Sequence, residues 1–212
     1  MVSTAHRQPA ALPDGTPITI RRLTPADAPT LAGGFARLSE ESRRLRFLTA
    51  KESLSESELR YLTEVDGYRH EALGAIDPST GEGIAVARFV LDERDPSRAE
   101  VAITVADDWQ RRGLGKLLLS RLAEKARDQG IRRFTALVST DNRGMKALLG
   151  RLSSPTRLTK VTGSTAEYEI ELAPRGLGAQ LEAALRATAA GHLRVPPRLR
   201  DALRALVPLR LK

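Results

Sequence analysis

The sequence predicts a mixed α/β domain of the α+β type, with a mostly antiparallel sheet of six to seven strands flanked by helices. Three observations carry this expectation. Residues 71–76, 83–91 and 99–105 are β-rich runs separated by turn chemistry, Asp77 to Gly81 and then Asp92 to Ser97, and an antiparallel meander is their simplest pairing. Thr24, Ser39 and Ser55 each stand where a capping residue opens a helical segment ahead of that meander. Beyond it the apolar period changes from two to that of a helix, with Leu114, Leu117, Leu118, Leu122 and Ala126 on one stripe.

In chain order, residues 1–13 contain Pro9 and Pro13 and no periodicity, and read as a flexible arm. Residues 18–23 alternate as a first strand. Pro25 follows the Thr24 cap at a first helical position, predicting helix to about Ala36, and further helices open after Ser39 and Ser55. After the meander, the helix from Leu114 sets Arg121, Glu124, Lys125 and Asp128 against its apolar stripe, and Gly130 closes it. Residues 134–138 form the next strand. Asp141 and Asn142 cap a helix with Met145, Leu148, Leu149 and Leu152 inward, which ends before Pro155. Strands at about 156–161 and 167–172 bracket a turn at Gly163. The expected domain is therefore 14–172.

Hydrophobic residues at 41% and charged residues at 28% describe a globular chain with a core, not a disordered one. No apolar run approaches the roughly 18 residues of a membrane span. The first 13 residues lack the apolar stretch of a secretory signal, so a cytoplasmic protein is expected. With no cysteine, disulfides, thiolate-zinc sites and a cysteine nucleophile are excluded. His6, His70 and His192 have no ligand spacing, so no metal is expected. The net charge of +8 belongs mainly to a tail: residues 173–212 hold seven Arg and one Lys against Glu182 and Asp201, a net +6 that leaves +2 for residues 1–172. Four Phe, three Tyr and one Trp are few for base stacking, which argues against a nucleic-acid platform.

The chemistry concentrates where the strand ending at Val105 turns into Gln110-Arg-Arg-Gly-Leu-Gly115 and an amphipathic helix. Two glycines allow close backbone approach, and a helix start exposes unpaired N–H groups at the positive end of its dipole. That is an anion site suited to a diphosphate, with Arg111, Arg112 and Lys116 adding charge. The alternative is a glycine-rich strand-to-helix turn with ordinary surface arginines. A dinucleotide fold fits worse, because the motif is not Gly-x-Gly-x-x-Gly and no βαβ unit surrounds it.

On these residues the chain resembles the GNAT N-acetyltransferase superfamily, whose acyl-CoA signature is Gln/Arg-x-x-Gly-x-Gly/Ala. The likeness covers about residues 14–172 in element order. It is closer still to bacterial protein-lysine acetyltransferase domains, through the segments at 38–47, 63–66 and 99–102. The resemblance implies a GNAT fold with a splayed central strand pair, 99–105 and 134–138, and acetyl-CoA as cosubstrate. It implies that the pantetheine arm pairs with the backbone of Ile103, Thr104 and Val105, and that Gln110, Arg111, Arg112, Gly113, Leu114, Gly115 and Lys116 hold the diphosphate. Asn142 would touch the cofactor from the following helix. Glu100 matches the family's catalytic glutamate and would act as general base, the alternative being a structural pair with Arg98 on a strand edge. Many family members carry a Tyr after the position of Asn142 to protonate the departing thiolate, and residues 143–155 contain none.

The expected activity is therefore acetyl transfer from acetyl-CoA directly to an amine, foremost a protein lysine. Acetylation of a small-molecule amine and a catalytically inactive acyl-CoA-binding sensor or scaffold are the alternatives. Tyr68 and His70 could face the acceptor, or anchor loops. In the tail, Leu177, Leu181, Ala184 and Leu185, and after Pro197 the stripe Leu199, Ala202, Leu203 and Leu206, form basic amphipathic helices. Packing on the parent domain or on a second copy, as a homodimer, is the expectation for residues 173–212.

Overall fold

The computed structural model of the protein describes residues 8–152 and 154–172. The expected tail helices at 173–212 and residues 1–7 of the expected arm lie outside them. Eight strands form one sheet: β1 (Gln8–Ala11), β2 (Pro17–Arg22), β3 (His70–Ile76), β4 (Gly83–Leu91), β5 (Arg98–Val105), β6 (Arg133–Ser139), β7 (Thr156–Thr162) and β8 (Thr165–Glu171). Their order is β1-β2-β3-β4-β5-β6-β8-β7. All neighbours are antiparallel except β5 and β6, so the predicted meander is present as β3, β4 and β5. The sheet exceeds the expected six to seven strands because part of the expected arm, residues 8–11, pairs with β2 in the register Gln8↔Ile20 to Ala11↔Pro17. An edge strand donates fewer ladder bonds, which lets Pro9 occupy it, and Leu12 just beyond is buried.

The caps operate as their side chains dictate. Ser39 Oγ accepts the Ser42 N–H at 3.2 Å to open α2 (Glu40–Phe47), and Ser55 Oγ accepts the Glu58 N–H at 3.2 Å to open α3 (Glu56–Thr63). Glu58 returns the bond by accepting the Ser55 N–H at 2.8 Å, which completes a capping box. Pro25 opens a single 3-10 turn rather than the helix itself, and α1 (Ala28–Ala36) follows it. Asp27 fastens this corner: its carboxylate accepts Thr24 N–H at 2.7 Å, Thr24 Oγ1–H at 3.0 Å and Arg21 Nη1–H at 2.7 Å.

Burial alone would raise the Asp27 carboxyl, but the bonds from Arg21 and Thr24 outweigh it and hold it below the ordinary 3.8. A lowered folded value means stability that is present above the unfolded value and lost as pH falls through the folded one. Asp27→Asn should therefore cost about 1–3 kcal/mol at pH 7. Denaturation titrations should show the gap to the parent narrowing below about pH 4, as the parent carboxylate protonates in its turn.

The long helix α4 (Leu114–Asp128) crosses from β5 to β6 and buries Leu114, Leu118, Leu122 and Ala126 against β3, β4 and β5. Gly130 ends it at φ 85°. Gly150 closes α5 (Arg143–Leu149), so the expected inward Leu152 follows the helix rather than riding on it. Two buried carboxylates tie elements together. Glu71, fully buried on β3, accepts Arg22 Nε–H at 2.9 Å and Arg22 Nη2–H at 2.6 Å, with Lys125 Nζ of α4 at 3.5 Å. Glu169 on β8, also buried, takes Arg157 Nη2–H at 2.6 Å and lies 3.4 Å from Arg98 Nη2.

Candidate active site

The site begins where β5 and β6 separate. They are in register only at Arg98↔Arg133, Ala99↔Phe134 and Glu100↔Thr135. Beyond Glu100, β5 continues against β4 alone to Val105, and β6 from Ala136 pairs with β8 alone. A wedge therefore opens in mid-sheet, walled by strand edges that carry unpaired backbone groups.

Which groups face the wedge follows from strand alternation. Ser97 O accepts the Arg132 and Arg133 N–H groups on the β6 side, whereas Arg98 O accepts Asp92 N–H and Ala106 N–H donates to Ile84 O on the β4 side. The backbone groups of Val101, Ile103 and Val105 thus face the wedge, and those of Thr104 face Val86 on β4. Among the three predicted backbone contacts, Ile103 and Val105 are aimed into the gap. Val105 O is already held there by Gln110 Nε2–H at 3.2 Å.

The glycine turn sits at the wide end. Asp107 opens it in a 3-10 turn (Asp107–Trp109) and accepts Ser39 N–H at 2.8 Å, Ser39 Oγ–H at 3.0 Å and the Ser42 hydroxyl, which ties the turn to the start of α2. Burial works to raise the Asp107 carboxyl, yet the Ser42 and Ser39 donors hold it low. Gln110 Nε2 also reaches Ser42 Oγ at 3.2 Å, so this side chain braces the mouth instead of pointing outward. Left-handed backbone at Arg111 (φ 59°) and Gly113 (φ 90°, ψ −8°) leads into α4, the kind of backbone from which anion nests are built.

The first intrahelical bond is Leu117 N–H to Gly113 O. No acceptor among the described residues takes the N–H groups of Arg111 through Lys116, the run predicted to hold a diphosphate. The side chains are arranged differently from the sequence expectation. Arg112 does not add its charge to that end: it stacks 4.5 Å over Trp109 and binds Asp14 at 2.9 Å and Thr16 Oγ1 at 2.6 Å. Hydrogen bonds from Thr16 first, and from Arg112 after them, hold the Asp14 carboxyl down at about 2. Arg111 and Lys116 remain exposed, and Leu114 is a core residue that can offer only its backbone.

Gly115 has a packing reason beside any ligand. A Cβ there would lie 3.2 Å from Leu148 Cδ2 of α5 and 3.6 Å from Ile103 Cδ1 of β5. Gly115→Val should destabilise the protein by about 1–3 kcal/mol through overpacking. A double-mutant cycle with Leu148→Ala, read by chemical denaturation, should give a combined loss smaller than the sum of the two single losses.

Glu100 is exposed on β5 at the apex of the wedge, and it has no ion pair among the described residues. Arg98, the partner offered by the alternative reading, is turned to Glu169. In front of Glu100 lies a cleft of about 250 Å³ whose walls include Arg46, Glu58, Tyr61 and Arg88. The sequence reading missed these residues. The signal for Arg88 was present, as a lone charge in the apolar run 84–91; burial and the neighbouring Arg46 push it down to about 10, so it is still charged at neutral pH.

Arg88 donates from Nη1 to His70 Nε2 at 3.1 Å and from Nη2 to Leu62 O at 3.1 Å. Because arginine only donates, His70 Nε2 must accept, which fixes the ring as a neutral Nδ1–H tautomer. Burial first and Arg88 second depress its titration. His70 stacks on Tyr61 at 5.0 Å and is an anchor, while Tyr68 stands 59% exposed on its loop. Asn142 caps α5, its Oδ1 accepting the Met145 N–H at 2.8 Å.

A wedge at a parallel junction, an open helix start at its mouth and a carboxylate at its apex define an acyltransferase class of site. The chain belongs to the acetyltransferase (GNAT) family, whose model matches residues 38–153. It is similar to the acetyltransferase Pat of Mycolicibacterium smegmatis, with 36% identity over 135 residues, 64% of this chain and 40% of that protein. It is also similar to an acetyltransferase of Pseudomonas aeruginosa, 31% identical over 140 residues, 65% of this chain and 75% of that one. Among solved structures, the GNAT domain of S. lividans PAT superposes with a TM-score of 0.72 at 28% identity, covering 78% of this chain and 96% of that domain. The alignment thus spans less than half the length of the M. smegmatis relative. Among the described residues, no group of three His, Asp or Glu side chains is placed to hold a metal, and no helix is long and apolar enough to cross a membrane.

Proposed function

We propose that this domain transfers an acetyl group from acetyl-CoA directly to an amine, foremost a protein lysine, with Glu100 as general base. The carrying observation is the position of Glu100: exposed, without an ion pair among the described residues, at the residue where β5 and β6 part. Acetyl-CoA supplies an activated thioester, at whose carbonyl carbon the C–N bond forms as the C–S bond breaks. The Ile103 backbone groups would orient the arm along β5, and the open N–H groups of Arg111 to Lys116 would hold the diphosphate.

A lysine at pH 7 is unprotonated in only about 0.04% of molecules, an uphill cost of about 4.6 kcal/mol. Glu100 takes that proton from the amine, directly or through one water. With no cysteine in the chain to carry an acyl intermediate, transfer in one step is the route its residues support. The departing thiolate must be protonated by solvent or by a residue other than a Tyr on α5, since α5 has none. That last feature is what favours the second reading, an inactive acyl-CoA-binding module.

Incubation with acetyl-CoA and a panel of protein and small-amine acceptors decides between them. Acceptor-dependent release of free thiol is expected. Acetyl-CoA binding without turnover on any acceptor would favour the sensor, and turnover confined to small amines would move the substrate class. The sequence-based expectation of a cytoplasmic location belongs to the same proposal.

A further inference from the structure

Arg46 stands on the wall of the cleft in front of Glu100, and its side chain has neither a hydrogen bond nor an ion pair among the described residues. Its guanidinium lies 5.1 Å from the centroid of the Phe47 ring, and burial disfavours its charge. Apart from Glu100, the other charged groups on this wall are engaged. Arg88 is fixed by His70 and Leu62 O. Glu58 is held by Lys51 Nζ at 2.7 Å and by the Ser55 N–H. Glu100 is close enough to act on Arg46 electrostatically but forms no ion pair with it.

A partly desolvated guanidinium beside a second, fixed guanidinium needs an anion. A carboxylate answers that need with two parallel N–H···O bonds. We infer that Arg46 is a specificity-determining residue that binds a carboxylate of the acceptor, so that the preferred acceptor is a lysine with Asp or Glu beside it in a polypeptide. The inference rests on the acceptor site proposed above. It is complementary in charge: the acceptor's amine meets Glu100 while its carboxylate meets Arg46. Tyr61 at the rim is 57% exposed, which leaves the cleft open to a surface chain instead of closed around a small molecule.

The test is calorimetric binding to the full chain of three peptides blocked at both termini, identical except for Glu, Gln or Lys beside the central lysine. The Glu peptide should bind about tenfold more tightly than the Gln peptide, and the Lys peptide most weakly. Arg46→Met should level the Glu and Gln peptides. Arg46→Glu should reverse the order, an outcome that misfolding does not produce. Equal affinities for the parent protein, or an unchanged order in Arg46→Glu, would overturn the inference. So would Arg46-dependent binding of Nα-acetyl-lysine with no peptide bound, which would point to a small carboxylated amine. Thiol release is read separately: charge-dependent peptide binding without it would keep the Arg46 inference and sink the transferase reading.

Discussion

Glu100→Gln is expected to lower kcat/KM for amine acetylation by about 100- to 10,000-fold, the range of a lost general base. The exchange is isosteric, at an exposed position with no ion pair among the described residues, so the fold should not notice it. Acetyl-CoA affinity should stay within about twofold, because the groups proposed to bind it, the Ile103 backbone and the N–H run from Arg111 to Lys116, are untouched. Unchanged melting together with a lost rate separates a catalytic role from a structural one. If Glu100 served only as a strand-edge partner, stability would fall and the rate would largely persist. Retention of the rate within tenfold would remove Glu100 from the mechanism.

The largest expected stability loss is at the opposite side of the sheet. Arg22→Met should cost about 3 kcal/mol, seen as a lower urea midpoint with little change in slope. The reason is asymmetry: Glu71 is fully buried, whereas the Arg22 side chain is 41% exposed. Removing the arginine strands the carboxylate with only Lys125, 3.5 Å away. The guanidinium also fills the space over Gly67, where a Cβ would lie 2.4 Å from it, so its loss leaves the β2–β3 junction underpacked as well. Replacing both partners, Arg22→Met with Glu71→Leu, should recover much of the loss. A single variant as stable as the parent would show that Lys125 alone suffices.

Much of this is legible in the sequence alone. Ser39, Ser55 and Asn142 cap helices because their short oxygens suit N–H groups that have no partner, a local matter that sequence reveals. The alternating runs of the meander likewise declare themselves. β1 did not, because four residues with Pro9 carry no period, and only pairing with β2 makes them a strand. The fate of Arg98 was equally hidden. It chooses Glu169, which is 71 positions away in sequence and reaches it through β6 and β8, over its neighbour Glu100. The bond of the Arg112 side chain to Asp14, 98 positions away, is hidden for the same kind of reason. Arg46 lies inside the segment 38–47 that resembles the family, but the unpartnered state of its side chain among the described residues shows only when α2, β4 and β5 come together around the cleft.

The wedge between β5 and β6 and the turn before α4 are proposed to form one acetyl-CoA site. Amide hydrogen exchange with and without acetyl-CoA tests it directly. Protection is expected in the peptides covering residues 101–105 and 111–116, with β1 and β7 unchanged. Exchange that is unaltered in both peptides, or protection that appears elsewhere in the sheet, would contradict it.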